Sequence, residues 1–405
     1  MFASFIPWLL VFSFALWPFG GGEGGEGENQ KALKKTSLEI PADSKKWEYI
    51  RILLVHRSPD VKLETSSPFQ IMEQNGNLLF SGKRLSPTRF KTVDGVIQAG
   101  KQSFPQAPLV VQSLGDGIKW DGRVYRHSLL LWPDAKNGLT VVNRIPVEDY
   151  LKGVLPSEVN PKWPMEALKA QAVASRTYAL FKALENQKER FDVSKDVMSQ
   201  VYGGKTSEHS LSTKAVDATR GKILTYRSKF FPAYFHSTCG GTTTHAEYVW
   251  PVEAHPSLEG VVCEFCRSSK HYRWSAEFKK EEIQAKLKKR GIVSNVKSIS
   301  IGSKDKSGRA KSFIVEDEQG KREIQSNDFR LWVDAMRFKS TLIDSIEPVA
   351  GGFRFKGRGW GHGVGLCQYG AKTLADFGYS YEDILKYYYP DTDITQLAIP
   401  ADKGM

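Results

Sequence analysis

The chain has 405 residues, 40% hydrophobic and 12% aromatic, which excludes disorder for most of it and leaves room for more than one domain. Its 57 Lys and Arg against 45 Asp and Glu give a net charge of +12 and a pI near 9.3. That balance favours a polyanionic neighbour (nucleic acid, anionic lipid headgroups or an acidic cell-wall polymer) without choosing among them.

The N-terminus narrows the choice. Residues 1–19, MFASFIPWLLVFSFALWPF, carry no charge. At ~1.5 Å per residue the run is about long enough to cross ~30 Å of hydrocarbon as a helix. It lacks both a basic n-region and a small-x-small cleavage site, so it reads as an export signal or an uncleaved membrane anchor. Residues 20–37 begin GGGEGGEGENQ and read as a flexible linker. The folded part is therefore expected outside the cytoplasm, in the periplasm or cell envelope. No stretch interleaves basic and aromatic residues in a nucleic-acid-binding pattern, so no nucleic-acid partner is expected.

Residues 38–145 read as β-rich. The runs YIRILLV (49–55), LVVQS (109–113), LLLW (129–132) and LTVVNRI (139–145) are separated by Gly, Asp and Asn turn signals at hairpin spacing. From Pro146 the period changes. A short helix is predicted through Leu155, then a proline-flanked turn carrying Glu158, then a helix from Met165 to about Arg190 after Pro164. In it Leu168, Ala172, Ala179 and Leu180 share an inward face, while Gln171, Ser175 and Tyr178 form a stripe that is either solvated or lines a groove. KILTY (222–226) and FPAYFHST (231–238) follow as strands, FKKEEIQAKLKKR (278–290) as a basic helix, and SNDFRLWVDAM (326–336) as a short helix. A glycine-dense loop then leads into a helix at about Gln368, and residues 395–405 form a tail. The expected fold class is α+β: a β-rich N-terminal part, a helix-containing core over 146–394, and mixed strands and helices closing a cleft.

Breaking a glycosidic bond needs a proton donor, and a carboxylic acid serves if an apolar setting raises its pKa from ~4.3 towards neutrality. Glu158 sits between Leu155-Pro156 and Val159 with Trp163 close by, and prolines 161 and 164 restrict the turn. Glu148, Asp149 and Glu166 are equally available in sequence, and a solvated surface glutamate is the competing reading. The cysteines carry a second signal. His236, Cys239, Cys263 and Cys266, in HSTC and CEFC, make a Cys3His set suited to a closed, structural zinc site, with His245 and His271 as alternatives to His236. Disulfides compete, since export favours them, but three clustered cysteines leave one unpaired. Cys367 reads as a small packing residue; a nucleophilic pairing with His362 is the lesser alternative.

Four segments then carry a resemblance: VVNRIPVEDYLKGVLPSEVNPKWPMEALKAQAVASRTYAL (141–180), QVYGG (200–204), FHSTCGG (235–241) and GRGWGHGVGLCQYGA (357–371). In this order they resemble the SpoIID/LytB family of sporulation stage II protein D-like peptidoglycan lytic transglycosylases and amidase enhancers, over about residues 48–394. The resemblance implies an exported enzyme cleaving the glycan backbone to 1,6-anhydro ends, with Glu158 as its single acid/base. A non-catalytic activator of an N-acetylmuramoyl-L-alanine amidase is the alternative. It further implies glycan strands as substrate and an amidase or a division or sporulation cell-wall complex as partner. Matching motif positions nominate Gln171, Arg176, Tyr178, Gln200, Tyr202, His362, Gln368 and Tyr369 for substrate binding, with Arg176 placed to meet an anionic lactyl group. Were water the nucleophile instead, Asp149 or Glu148 would be its activator. Two departures stand out: Thr244-His245 replaces an acidic position, and residues 58–110 match weakly.

Overall fold

The computed structural model describes residues 33–41, 48–104, 108–134, 138–195, 199–291 and 295–398; the predicted N-terminal anchor lies outside them. All four apolar runs are strands of one seven-stranded sheet. Its order is Val193–Ser194, Tyr49–Ser58, Gly138–Pro146, Ser128–Asp134, Leu109–Ser113, Phe69–Glu73 and Leu78–Gly82, antiparallel except at the first pair. The weakly matching stretch supplies most of a six-stranded antiparallel sheet whose longest strands are Asp60–Thr65 and Leu85–Val93. Alternation sets which side chains face the core: Ile50, Ile52 and Leu54 of one strand are buried, as are Val61 and Leu63 of the other.

Two helices pack onto this core. The first, α1 (Val147–Glu158), buries Val147, Tyr150, Leu151, Val154 and Leu155, each worth about 1.5–3 kcal/mol of gross transfer free energy. It runs past the predicted end at Leu155, because Pro156 falls in the last turn and costs only one backbone hydrogen bond. Glu158 is thus the last residue of a helix rather than part of a free turn. The chain leaves the helix at Val159 (φ −134°, ψ 154°), two residues before Pro161.

The second helix, α2 (Met165–Glu185), ends a turn earlier than expected because Asn186 caps it and the following loop is drawn back by Arg51, which reaches the Asn186 and Glu189 carbonyls and Asp192. Its two faces enter two cores. Leu168, Ala172, Ala179 and Leu180 join the sheets, whereas Ala170, Val173 and Ala174 join a second core with Leu224, Phe231, Val364, Leu366, Leu385 and Tyr389. The stripe of Gln171, Ser175 and Tyr178 is therefore buried, not solvated.

On the flank α3 (Ser210–Ala218) packs against α1 and α2 and adds Ala215 and Val216 to the first core, while α6 (Gln368–Asp376) and α7 (Tyr381–Tyr388) complete the second. A third core lies among two three-stranded sheets over residues 273–358, with α4 (Lys280–Lys288) and α5 (Ser326–Val333). The α+β expectation holds. Among the described residues no helix is long and apolar enough to cross a membrane.

Candidate active site

Glu158 is half-buried at the C-terminus of α1. The Val201 N–H donates to its Oε1 (2.7 Å), and the Gln368 side-chain amide hydrogen-bonds the same carboxylate. Burial pushes its carboxyl from the ordinary 4.5 up to about 7, against the downward pull of those two donors. A group titrating there holds a proton at neutral pH yet gives it up readily.

The neighbouring carboxylates are all committed elsewhere. Glu148, 3% exposed, accepts from Arg176 Nε (2.9 Å) and Nη2 (2.7 Å) and from the Gly221 N–H (3.1 Å). Asp149 is held by His127 (2.8 Å) and Lys152 (3.0 Å), and these partners outweigh its burial to hold it well below the usual carboxylate range. Glu166 pairs with Lys169 (2.7 Å) and accepts from the Tyr381 N–H (2.9 Å). Neither Glu148 nor Asp149 is free to activate a water.

Behind Glu158 runs a buried polar relay. The Tyr150 hydroxyl donates to Gln200 Oε1 (2.8 Å), and Gln200 Nε2 donates to the Ser175 carbonyl (3.2 Å). Gln171 Nε2 donates to the Ser175 hydroxyl (3.0 Å), and Gln171 Oε1 has no partner among the described residues. Beside it lie two groups of aromatic rings, half-buried except for the buried Tyr178. Tyr369 meets Trp163 edge-to-face (5.1 Å), Tyr178 packs on Tyr234 (5.8 Å) and Phe235 (6.4 Å), and Tyr234 stacks on Trp250 (4.4 Å). Rings of this kind offer faces to the apolar sides of sugars and hydroxyls to their polar edges. Tyr234, Phe235 and Trp250 were not singled out from sequence; the aromatic density of FPAYFHST was the available signal.

Of the residues nominated for substrate binding, Gln368 bonds Glu158 and Tyr178 lies within reach of its charge, Tyr369 packs on Trp163, and Gln171 and Gln200 belong to the buried relay. Arg176 does none of these. It is fully buried, and its donors are spent on Glu148 and on the Lys222 (3.0 Å) and Val216 (3.3 Å) carbonyls, so no lactyl group can reach it. Tyr202 is likewise a packing residue. Its hydroxyl donates to Asn143 (2.9 Å), and its ring lies between Tyr150 and Tyr125, under Gly153, where an added Cβ would meet it at 2.6 Å. His362 has no free nitrogen: Nε2–H donates to the Phe235 carbonyl (2.8 Å) and Nδ1 accepts from the Val364 N–H (3.1 Å). Burial keeps it neutral, and it cannot serve as base to Cys367.

The glycine-rich loop owes its composition to protein neighbours. Gly365 adopts φ +67°, and a Cβ there would lie 2.1 Å from the Tyr234 carbonyl oxygen; Gly363, at φ +87°, presses on Arg309.

The cysteine expectation needs one correction. Cys239, Cys263, Cys266 and Cys367 are all buried and free, with sulfurs within 4.8 Å of one another, so the fourth member is Cys367, not His236. Parallel pairing of Phe235–His236 with Leu366–Cys367 turns the His236 ring to the Val364 carbonyl (3.1 Å) and brings Cys367 to the sulfurs. His245 is bound to Glu247 (3.1 Å) and His271 to Lys339 (3.1 Å).

Residues 135–226 match the family described as Stage II sporulation protein, and residues 246–365 match a domain of unknown function. Stage II sporulation protein D of Bacillus subtilis is 33% identical over 276 residues, 63% of this chain and 76% of that protein. The chain belongs to the stage II sporulation protein D family. By family it is a peptidoglycan-related cell-wall protein. An uncharacterized protein of Brachyspira hyodysenteriae is 40% identical over 287 residues, 70% of this chain and 76% of that protein. The Amidase enhancer of B. subtilis is 30% identical over 294 residues, 60% of this chain but 40% of its own length.

Proposed function

We propose that the protein is an exported lytic transglycosylase acting on the glycan strands of peptidoglycan, with Glu158 as its one acid/base. The carboxylic acid gives its proton to the oxygen joining C1 of N-acetylmuramic acid to the next sugar, and the C1–O bond breaks. The resulting carboxylate then takes the proton from that sugar's own C6 hydroxyl, whose oxygen closes on C1 to give a 1,6-anhydro end. Glu158 finishes as it began, protonated. The nucleophile belongs to the substrate, so a second carboxylate is unnecessary, unlike the paired arrangement of glycoside hydrolases. Holding O6 near C1 makes the closure effectively intramolecular.

The observation that carries this reading is a lone carboxyl raised to about 7 while Glu148 is paired with Arg176 and Asp149 with Lys152. Gln368 and the Val201 N–H steady its charged form, and the half-buried Trp163–Tyr369 and Tyr234–Trp250 rings offer stacking faces for sugars. The net charge of +12 suits an anionic wall.

The relative named Amidase enhancer favours a second reading, a non-catalytic wall-binding protein that activates a partner amidase. Incubation of purified sacculi with wild type and Glu158→Gln, followed by mass spectrometry of released sugar ends, separates the two. Anhydro ends from wild type alone are expected; equal release by both proteins, or reducing ends, would sink the transglycosylase reading.

A further inference from the structure

We propose that Cys239, Cys263, Cys266 and Cys367 bind one structural zinc ion as a four-thiolate site, and that the metal pins the N-terminus of α6 beside Glu158. The sulfurs lie within 4.8 Å of one another, Cys239 and Cys266 being 3.4 Å apart. With Zn–S bonds of ~2.3 Å an ideal tetrahedron has S···S edges of about 3.8 Å, within reach of small side-chain adjustments. Three separate segments supply the ligands: the chain after Phe235–His236, the C-x2-C loop, and the N-cap of α6.

Four thiolates around a divalent ion leave a net charge of −2, and a buried anion needs donors and a counter-charge. Both are built in. The Cys239 N–H donates to Cys367 Sγ (3.2 Å), the Gly241 N–H donates to Cys239 Sγ (3.5 Å), and the Tyr388 hydroxyl lies 3.2 Å from Cys263 Sγ. Arg309 is 1% exposed; its guanidinium donates to the Cys239 and Thr242 carbonyls and to the Ser307 hydroxyl (3.0 Å), and among the described residues it makes no direct ion pair, the nearby Asp305 carboxylate accepting instead from the Arg309 backbone N–H (3.0 Å) and from Ser307. A buried cation left so is costly unless an anion lies close. An anionic metal cluster provides one. Two disulfides, the rival favoured by export, would neutralise the sulfurs and leave Arg309 with Asp305 alone, a carboxylate that its guanidinium does not touch directly.

The site also has a mechanical consequence. Cys367 is the residue before Gln368, whose amide bonds Glu158, and the Tyr369 N–H is held by the Ser237 carbonyl (3.1 Å) two residues before Cys239. Metal ligation would tie both strands of that junction to one point. The metal site stands apart from the transglycosylase reading; only the use made of a pinned α6 rests on it.

The full chain, purified without chelators, should carry one zinc, with four sulfur scatterers at the zinc X-ray absorption edge. Cys367→Ser should lose the metal and His236→Ala should keep it. Chelation should speed amide hydrogen exchange over residues 366–376 well before the N-terminal sheets. Zinc-free protein, whether its thiols are free or paired as disulfides, overturns the site. A shell of three sulfurs and one nitrogen, read on the unmodified chain and so independent of how the variants fold, overturns the ligand set, as does zinc kept by Cys367→Ser and lost by His236→Ala. Exchange over 366–376 that ignores the metal overturns the pinning.

Discussion

Replacing Glu158 by Gln should abolish activity and at the same time stabilise the protein at alkaline pH. The carboxyl is raised from 4.5 to about 7 by burial. At ~1.4 kcal/mol for each tenfold change in proton affinity, ionising it inside the fold costs up to about 3 kcal/mol, an upper bound because a half-buried group is partly screened by water. The sign follows from a folded pKa above the unfolded one. The favourable protonated state contributes fully below pH 4.5 and is lost as pH rises through about 7. Glutamine carries no charge and keeps an oxygen to accept the Val201 N–H, so it escapes the loss. Urea unfolding of both proteins between pH 4.5 and 8 isolates the effect, because other titrating groups are common to both and cancel in the difference. Glu158→Gln should gain on wild type by about 1–3 kcal/mol across that window, while muropeptide release falls by roughly 10²–10⁴. A gap that stays flat with pH, or one that grows in the opposite direction, would refute the claim that this carboxyl is kept neutral by its surroundings.

Other perturbations separate support from chemistry. Arg176→Ala strands the buried Glu148 carboxylate and should cost about 3–5 kcal/mol in urea unfolding, with no loss of affinity for lactyl-bearing glycan beyond that caused by unfolding. Asp149→Asn should leave the anhydro product unchanged; it should lower stability at pH 7 and remove the acid-side loss that wild type shows as pH falls below the ordinary carboxylate range, since the folded Asp149 pKa is depressed. An Asp149→Asn protein that folds but makes no product would restore Asp149 as a catalytic group. Gly365→Ala places a Cβ against the Tyr234 carbonyl in a left-handed backbone and should lower thermal stability by more than about 2 kcal/mol, or prevent folding. The pH–rate profile of wild type should fall above about 7 as the proton donor ionises.

Much was legible in the chain because its signals are local. The four apolar runs carried their own strand period, Glu158 sat in a dense motif, and Gln368 was reached from the glycine-rich loop that positions it. The errors share a different cause. Arg176 and Tyr202 lie inside matching motifs, but a motif does not say which way a side chain points. Here one serves a buried carboxylate and the other fills the space under Gly153. The stripe on α2 read as either solvated or groove-lining because what covers it, Gln200 over Ser175 and Tyr234 and Phe235 over Tyr178, comes from distant parts of the chain.

Sequence alone determined which residues could do acid/base and metal chemistry, since residue type and short spacing limit both. Tertiary structure decided which of them meet. Cys367 joins Cys239 across 128 positions only because two short strands pair in parallel, and that pairing turns His236 away from the sulfurs. Likewise no local pattern could say that Glu148 and Asp149 would be consumed by cations while Glu158 was left to be desolvated. A pKa depends on what the fold packs around a group and on which charges it keeps away, and those neighbours come from distant parts of the chain.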